Sequence, residues 1–149
     1  MKRGKRIFGR LLVLFGVMCI ICYGISQYDE WKESHSGIPD AVSSISRDRS
    51  CHLTVVANSS GIDDKEAFAR EVVQMCRQNS FRSVKFSTDM NGYPSELDIT
   101  VYLNRKCVER NEPSCTIEFC TKERTEDYDI NNNAAQFQLY VDGKEVAFY

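Results

Sequence analysis

The sequence predicts a small α+β domain that follows a single transmembrane helix. Three observations support this: an uncharged apolar stretch near the N-terminus, one segment with helical spacing of apolar residues, and several segments in which apolar and polar residues alternate. The chain has 149 residues, of which about 100 remain beyond an anchor and a linker, enough for one modest hydrophobic core. We therefore expect a two-layer sandwich, with one helix on a mainly antiparallel sheet of about five or six strands.

The apolar stretch covers residues 11–25, and no charged residue occurs between Arg10 and Asp29. A helix needs about 20 predominantly apolar residues to cross the hydrocarbon core of a bilayer. Basic residues precede the stretch and acidic residues follow it, so the positive-inside rule places the N-terminus in the cytoplasm. We accordingly predict a single-pass protein of the cell membrane, with a basic cytoplasmic tail (1–10), a transmembrane anchor (11–28), a stalk (29–50) and an exported domain (51–149).

A cleavable signal sequence is the alternative explanation of the same stretch. Gly24 and Ser26 place small residues at the third and first positions before a cut that would leave Gln27 as the new N-terminus. The anchor is favoured because the apolar run is longer than the roughly 7–15 residues of a signal core. Both alternatives export the domain, but only the anchor keeps the lipid bilayer as a partner.

The net charge of −2 conceals an uneven distribution. Five of the 19 Lys and Arg residues lie within the first ten positions, so 14 basic residues face 21 acidic ones in the rest of the chain, a net charge of −7. Nucleic acid is therefore excluded as an expected partner of the folded part, because binding to phosphates requires a basic surface.

One segment of the exported part has the pattern of an amphipathic helix. Asp63 is placed to be its N-cap, with Glu66 three residues later in a capping-box arrangement. Apolar residues then recur at helical spacing from Phe68 to Cys76, and Asn79 is a suitable stop. We predict a helix over residues 63–79 whose apolar stripe covers the sheet.

The strands are predicted from period-two alternation. Cys51 opens a short apolar strand, Val84 and Phe86 begin another before an Asn91-Gly92 turn, and residues 97–103 and 115–119 alternate clearly. The sequence Asp-Gly at 142–143 is a strong signal for a two-residue hairpin turn. This hairpin would set Leu139 opposite Val146 and Phe137 opposite Phe148, which is four apolar side chains on one face.

Five cysteines lie beyond the apolar stretch, and an exported domain is in a compartment that permits disulfides. If the strands around the 107–115 loop pair with Leu103 opposite Phe119, Cys107 falls opposite Cys115 and a cross-strand disulfide is predicted. Cys120 alternates with the apolar residues Ile117 and Phe119, so it should point outward, and it is predicted to be the free thiol. Cys51 and Cys76 are expected to face the core.

No catalytic, cofactor-binding or metal-binding motif is present in the sequence, and no cofactor is expected. The anchor and stalk favour a non-enzymatic, membrane-tethered domain that binds another protein or serves as an accessory subunit of an envelope complex. Two alternatives remain open: a secreted soluble factor released before Gln27, and an enzyme whose site is assembled from distant residues, with Cys120, His52 or the acids at 123–129 as its components. The sequence does not specify a small-molecule ligand.

Overall fold

The computed structural model describes residues 2–85, 92–123 and 127–148, and it divides into two compact units, 1–36 and 37–149. The first unit is one long helix, α1 (Lys2–Ser34). The segment Leu11–Asp29 of this helix is long and apolar enough to cross a membrane, and its side chains are exposed. A signal sequence would have the same length and composition. The helix is therefore compatible with either role.

The second unit is an α+β fold built on one six-stranded mixed sheet. Its strands follow the chain order across the sheet: β1 (Asp40–Arg47), β2 (Ser50–Val56), β3 (Glu96–Tyr102), β4 (Cys115–Thr121), β5 (Phe137–Val141) and β6 (Lys144–Val146). Helix α2 (Lys65–Gln78) connects β2 to β3, and the short helix α3 (Arg105–Glu109) connects β3 to β4. The sheet thus contains the expected number of strands.

Four of the five strand pairs are antiparallel, and only β2 and β3 run parallel. A parallel pair needs a long crossover connection, and α2 supplies it. The helix begins after Asp64, whose side chain accepts a hydrogen bond from the N–H of Ala67, so the cap lies one residue beyond the predicted Asp63. It ends at Asn79 as predicted, because Asn79 adopts the left-handed conformation (φ 49°) that closes a helix C-terminus.

One hydrophobic core joins α2 to the sheet. The buried residues of α2, which include Val72, Val73 and Cys76, belong to the same cluster as Leu53, Ile99 and the other inward-facing strand residues. Cys51 and Cys76 face this core, as expected from their parity and their position on the helix stripe. Alternation of apolar and polar residues along β2 to β5 therefore sorts the strand side chains into a core face and a polar face.

Strand β1 lies inside the range predicted to be a stalk. Its helix-side residues Ser44 and Ser46 are small and polar, so the sequence lacks the alternation that marks the other strands. The strand is instead held by pairing with β2 and by Asp40 at its start, which is buried. The folded unit consequently begins near Gly37 rather than at Cys51.

Two predicted strand features have different outcomes. The hairpin at Asp142 is confirmed, with Leu139 opposite Val146. Phe137 and Phe148 are not paired in the ladder, but both rings lie on Phe119, with centroid distances of 4.9 and 4.8 Å. The predicted strand at 84–86 is not seen at Val84, while Phe86 and the Asn91 turn position lie outside the described residues.

The predicted register between β3 and β4 is wrong. Phe119 lies opposite Leu97 rather than Leu103. The reason is α3, whose start is capped by the Asn104 side chain accepting from the N–H of Cys107 at 3.2 Å. Because residues 105–109 coil into a helix, β3 ends earlier and the connection is longer than a hairpin allows.

Asp40 ties the chain after α2 to the first strand. Its carboxylate accepts hydrogen bonds from the N–H groups of Arg82 and Ser83 and from the Ser83 hydroxyl. Burial alone would raise the pKa of Asp40, but these three donors and the N–H of Ala41 outweigh it and lower the pKa below its ordinary value of 3.8. A buried carboxylate is thus stabilised in its charged form by the segment that follows the helix.

We predict that Ile117→Ala lowers the free energy of unfolding by about 2–5 kcal/mol, because Ile117 is fully buried in the core cluster and its truncation leaves a cavity. Urea denaturation measures this loss. The neighbouring exposed Thr116→Ala is the control and should change stability by no more than about 0.5 kcal/mol. Equal losses in both variants would contradict the assignment of the two faces.

We also predict that Asp40→Asn destabilises the fold by about 2 kcal/mol at pH 7, since it removes charge-assisted hydrogen bonds. The lowered pKa of Asp40 contributes stability that is complete above the unfolded value of 3.8 and is lost as the pH falls through the folded value. The difference from the wild type should therefore shrink below about pH 4.

Denaturation at several pH values tests this, with Ser83→Ala as a control that keeps the carboxylate. A gap between wild type and Asp40→Asn that stays constant between pH 7 and pH 3 would contradict the role of Asp40.

Candidate binding surface

The face of the sheet that points away from the core carries polar side chains in register across five strands. His52 of β2, Asp98 of β3 and Glu118 of β4 lie directly opposite one another. The same row continues to Tyr140 of β5 and Glu145 of β6. We call this surface the polar face; its members are Ser50, His52, Thr54, Glu96, Asp98, Thr100, Thr116, Glu118, Gln138, Tyr140 and Glu145.

The members of the polar face are exposed or half-exposed, whereas three further residues on the same side of the sheet, Val56, Tyr102 and Cys120, are buried. The side chains of His52 and Asp98 at its centre are 56% and 49% exposed. A sheet whose two faces were both covered would carry near-continuous apolar strands, whereas β2 and β3 alternate along their first five residues and are buried on both sides only at their last two.

Hydrogen bonds between neighbouring side chains order this surface. Nδ1 of His52 lies 3.1 Å from Oδ2 of Asp98, within hydrogen-bond distance across β2 and β3. Further along, the Tyr140 hydroxyl donates to Gln138 at 3.0 Å, and the Gln138 amide donates to Glu145 at 3.0 Å. These hydrogen bonds hold side chains of the polar face in place. Less side-chain conformational entropy is therefore lost when a partner binds.

The charge of the polar face is negative. Four carboxylates, those of Glu96, Asp98, Glu118 and Glu145, accompany one imidazole, and Arg47 lies at its edge on β1. With His52 neutral, the net charge of the polar face is −4, or −3 when Arg47 is included, compared with −2 for the whole chain. A surface of this kind attracts basic partners and repels phosphates.

The predicted disulfide loses its geometric basis. Val101, not Cys107, lies opposite Cys115, and no disulfide joins any of the described cysteines. Cys107 is half-buried on α3 and Cys115 is buried at the start of β4. Burial, with the nearby Asp142 carboxylate, raises the pKa of Cys115 to about 11, which disfavours its reactive thiolate. The Cys107–Cys115 disulfide stays a prediction, but the β3–β4 register from which it was inferred is not the observed one.

Cys120 does not point into solvent as predicted. It lies on the polar side of β4, between Glu96 of β3 and Gln138 of β5, but it is only 3% exposed. A small side chain on an inner strand is shielded by longer neighbours on both sides, an effect that parity alone does not reveal. The structure thus does not present Cys120 as a surface thiol.

Cys120 and His52 are not brought together. Strand β3 lies between their strands, and Cys120 is two residues beyond Glu118, the residue in the row of His52. Strand spacing then separates their Cα atoms by roughly 12 Å. The partner of His52 is Asp98, which the sequence analysis did not single out; only the parallel β2–β3 register reveals it.

The acidic segment 123–129 does not form a cation site in its described part. Asp129 accepts bonds from the N–H groups of Asn131 and Asn132 and from the Asn132 amide, within its own turn. Burial would raise the pKa of Asp129, but these donors, with Arg49 nearby, lower it. Glu126 lies outside the described residues. Among the residues that the structure describes, no group of three His, Cys, Asp or Glu side chains can hold a metal ion.

Asp142 is a further residue that sequence analysis recognised only as a turn former. Its carboxylate accepts from the N–H of Thr116 at 3.0 Å and from Lys65 at 2.8 Å. The Lys65 hydrogen bond, followed by that of Thr116, lowers the pKa of Asp142. This contact connects the first turn of α2 to β4 and the β5–β6 hairpin, and its role is structural.

Comparison with known proteins provides no assignment: no protein-family model matches the chain, and neither does any curated protein or solved structure.

We predict that Asp98→Asn changes the free energy of unfolding by less than about 1 kcal/mol, because exposed ion pairs contribute little. Ile99→Ala, at the adjacent position on the core face, should cost about 2–5 kcal/mol in the same denaturation experiment. A loss above about 2 kcal/mol for Asp98→Asn would show that the polar face is part of the packed interior.

Proposed function

We propose that the protein is a membrane-anchored, extracytoplasmic, non-enzymatic domain that binds another protein of the envelope through its polar face. The observation that carries the proposal is the combination of an apolar helix able to span a bilayer with an ordered, acidic, accessible surface on the folded unit. Five basic residues before the apolar segment and acidic residues after it favour a cytoplasmic N-terminus. The domain then lies outside the cell membrane.

The folded unit is, in this proposal, a two-layer sandwich with α2 as one layer and the sheet as the other. The packing of Val72 and Val73 with Ile99 in one cluster supports this arrangement. The half-exposed state of Thr100 and Glu118, on the inner strands of the opposite face, supports a second face that lacks a covering helix. An ordered face without a covering layer is then available to a partner.

The partner is proposed to be a protein segment that carries Lys or Arg. Glu96 and Asp98 lie two residues apart on β3, and Glu118 of β4 lies opposite Asp98 across the strand separation of about 4.8 Å. Guanidinium and ammonium groups bind such carboxylates with charge-assisted hydrogen bonds. An enzyme built on Cys120 and His52 is disfavoured by the separation of these residues, and nothing in the described residues specifies a small-molecule ligand.

A secreted factor is the second candidate, because α1 also has the length and composition of a signal sequence. Expression of the full chain followed by carbonate extraction of membranes, protease treatment of intact cells and N-terminal sequencing distinguishes the candidates. We expect a carbonate-resistant protein whose folded unit is removed by external protease and whose N-terminus precedes residue 11. A soluble product that starts at Gln27 would contradict the anchored domain and support the secreted factor.

Binding through the polar face is tested by a photo-reactive amino acid at Thr116, with the same amino acid at Glu71 on α2 as the matched control. We expect one predominant protein to be cross-linked from position 116 and not from position 71. The product should fall at least about fivefold when Asp98→Asn and Glu118→Gln remove two central charges. The same product from both positions, or one insensitive to these substitutions, would contradict binding at the polar face.

A further inference from the structure

The final turns of α1 continue as a helix beyond its apolar segment. The apolar segment ends at Asp29, whereas the helix ends at Ser34. Because a helix rises about 1.5 Å per residue, the backbone of Trp31 lies roughly 3 Å beyond the end of this segment. The interfacial layer on each side of a bilayer's hydrocarbon core is about 5–7 Å deep. If the apolar segment spans the hydrocarbon core, the final turns of α1 therefore lie in the interfacial layer.

Three ring side chains line one side of this part of the chain. Tyr28, Trp31 and His35 are three and four positions apart, which is the spacing of neighbours on a helix surface. The ring centroids of Tyr28 and Trp31 lie 6.3 Å apart and those of Trp31 and His35 lie 4.8 Å apart, and both pairs are stacked. We call these three side chains the aromatic ridge. Tyr28 and Trp31 are 60% and 58% exposed, so most of their surface is left for a partner.

The carbonyl groups near the end of α1 find partners within the chain. A helix leaves its last four carbonyl groups without partners in the helix itself. The Trp31 carbonyl oxygen accepts a hydrogen bond from the Ser34 hydroxyl at 2.9 Å, and Nδ1 of His35 lies 2.8 Å from the same oxygen. The Lys32 carbonyl accepts from the N–H of His35 at 3.4 Å. Since a carbonyl without a partner is costly away from water, this helix end suits a layer in which water is scarce.

We propose that the aromatic ridge contacts the lipid headgroup layer on the extracytoplasmic side of the membrane and sets the depth of α1 in the bilayer. Aromatic rings with a polar edge prefer this layer, because their apolar faces leave water while the polar edge still finds partners. The proposal rests on the proposed function, since only an anchored α1 brings the ridge to a bilayer. It adds the surface with which the anchor contacts the headgroups.

A bilayer fits the ridge better than a groove on another protein does. The ridge is continuous with the apolar segment, because Tyr28 belongs to the segment and Trp31 lies two residues after it. Its most polar ring, the imidazole of His35, lies farthest from the apolar segment. Polarity therefore rises along the ridge in the direction in which a bilayer changes from hydrocarbon to water. A groove on a protein would impose no such gradient.

Trp31 is the only tryptophan of the chain, so tryptophan fluorescence measures the depth of the ridge directly. The full chain is reconstituted into phosphatidylcholine vesicles, which are recovered by flotation, and part of the lipid carries bromine as a contact quencher. The bromine lies either near the headgroup end or near the methyl end of the acyl chains. We expect the shallow bromine to quench Trp31 at least about twice as strongly as the deep bromine, because the ring prefers the interfacial layer.

The matched control moves the tryptophan to the middle of the apolar segment. Ile20 lies midway between Leu11 and Asp29, so Trp31→Phe combined with Ile20→Trp keeps one tryptophan and places it in the hydrocarbon core. We expect this variant to reverse the order of quenching, with the deep bromine at least about twice as effective as the shallow one.

A second pair of variants tests whether the three rings act together. Tyr28→Ala with His35→Ala removes both ring neighbours of Trp31, and we expect quenching of Trp31 by acrylamide in the aqueous phase to rise at least about twofold. Tyr128→Ala removes an exposed ring of the folded unit and should leave this quenching unchanged. An unchanged signal in the double variant would overturn the role of the ridge.

The results for the ridge and for the anchor are distinguishable. A chain that does not float with the vesicles would contradict the anchor, and the ridge with it. A chain that floats, but whose Trp31 is quenched by neither bromine or more strongly by the deep one, would overturn the ridge and leave the anchor intact. Shielding of Trp31 from acrylamide without quenching by either bromine would overturn the proposal in favour of a contact with protein.

Discussion

The arrangement of this domain depends on the burial of one apolar face of a sheet. Apolar residues at every second position of β2 to β5 gain free energy only when they leave water, and α2 is the element whose apolar stripe packs with them. The remaining residues of each strand must then point the other way. The polar face, its acidic character and its exposed His52–Asp98 pair all follow from this sorting.

The parallel pairing of β2 and β3 determines which residues meet on the polar face. A crossover through α2 returns the chain to the same end of the sheet, so that His52 aligns with Asp98. Asp40 completes the arrangement by binding the segment that leaves α2. Because this carboxylate serves packing and the Asp98 carboxylate is exposed, the two acids have different roles despite identical chemistry.

Elements with strong local signals were predictable from the sequence, and those that depend on distant contacts were not. The α2 helix and the β5–β6 hairpin have caps, periodicity and an Asp-Gly turn, and both agree with the structure within two residues. Strand β1 was missed because its serines carry no apolar alternation. The β3–β4 register was wrong because the Asn104 cap redirects the chain into α3. Cys120 was misplaced because shielding by neighbours on an inner strand does not follow from parity.

The proposed function requires that the polar face lie outside the membrane and remain uncovered. The most direct measurement is labelling of Thr116→Cys by a membrane-impermeant maleimide in intact cells, in a chain whose Cys107 is replaced by serine. The account predicts that this position is labelled rapidly without permeabilisation, while Ile117→Cys on the core face is labelled only after denaturation. Labelling of position 116 that appears only after cell lysis, or only after unfolding, would contradict it.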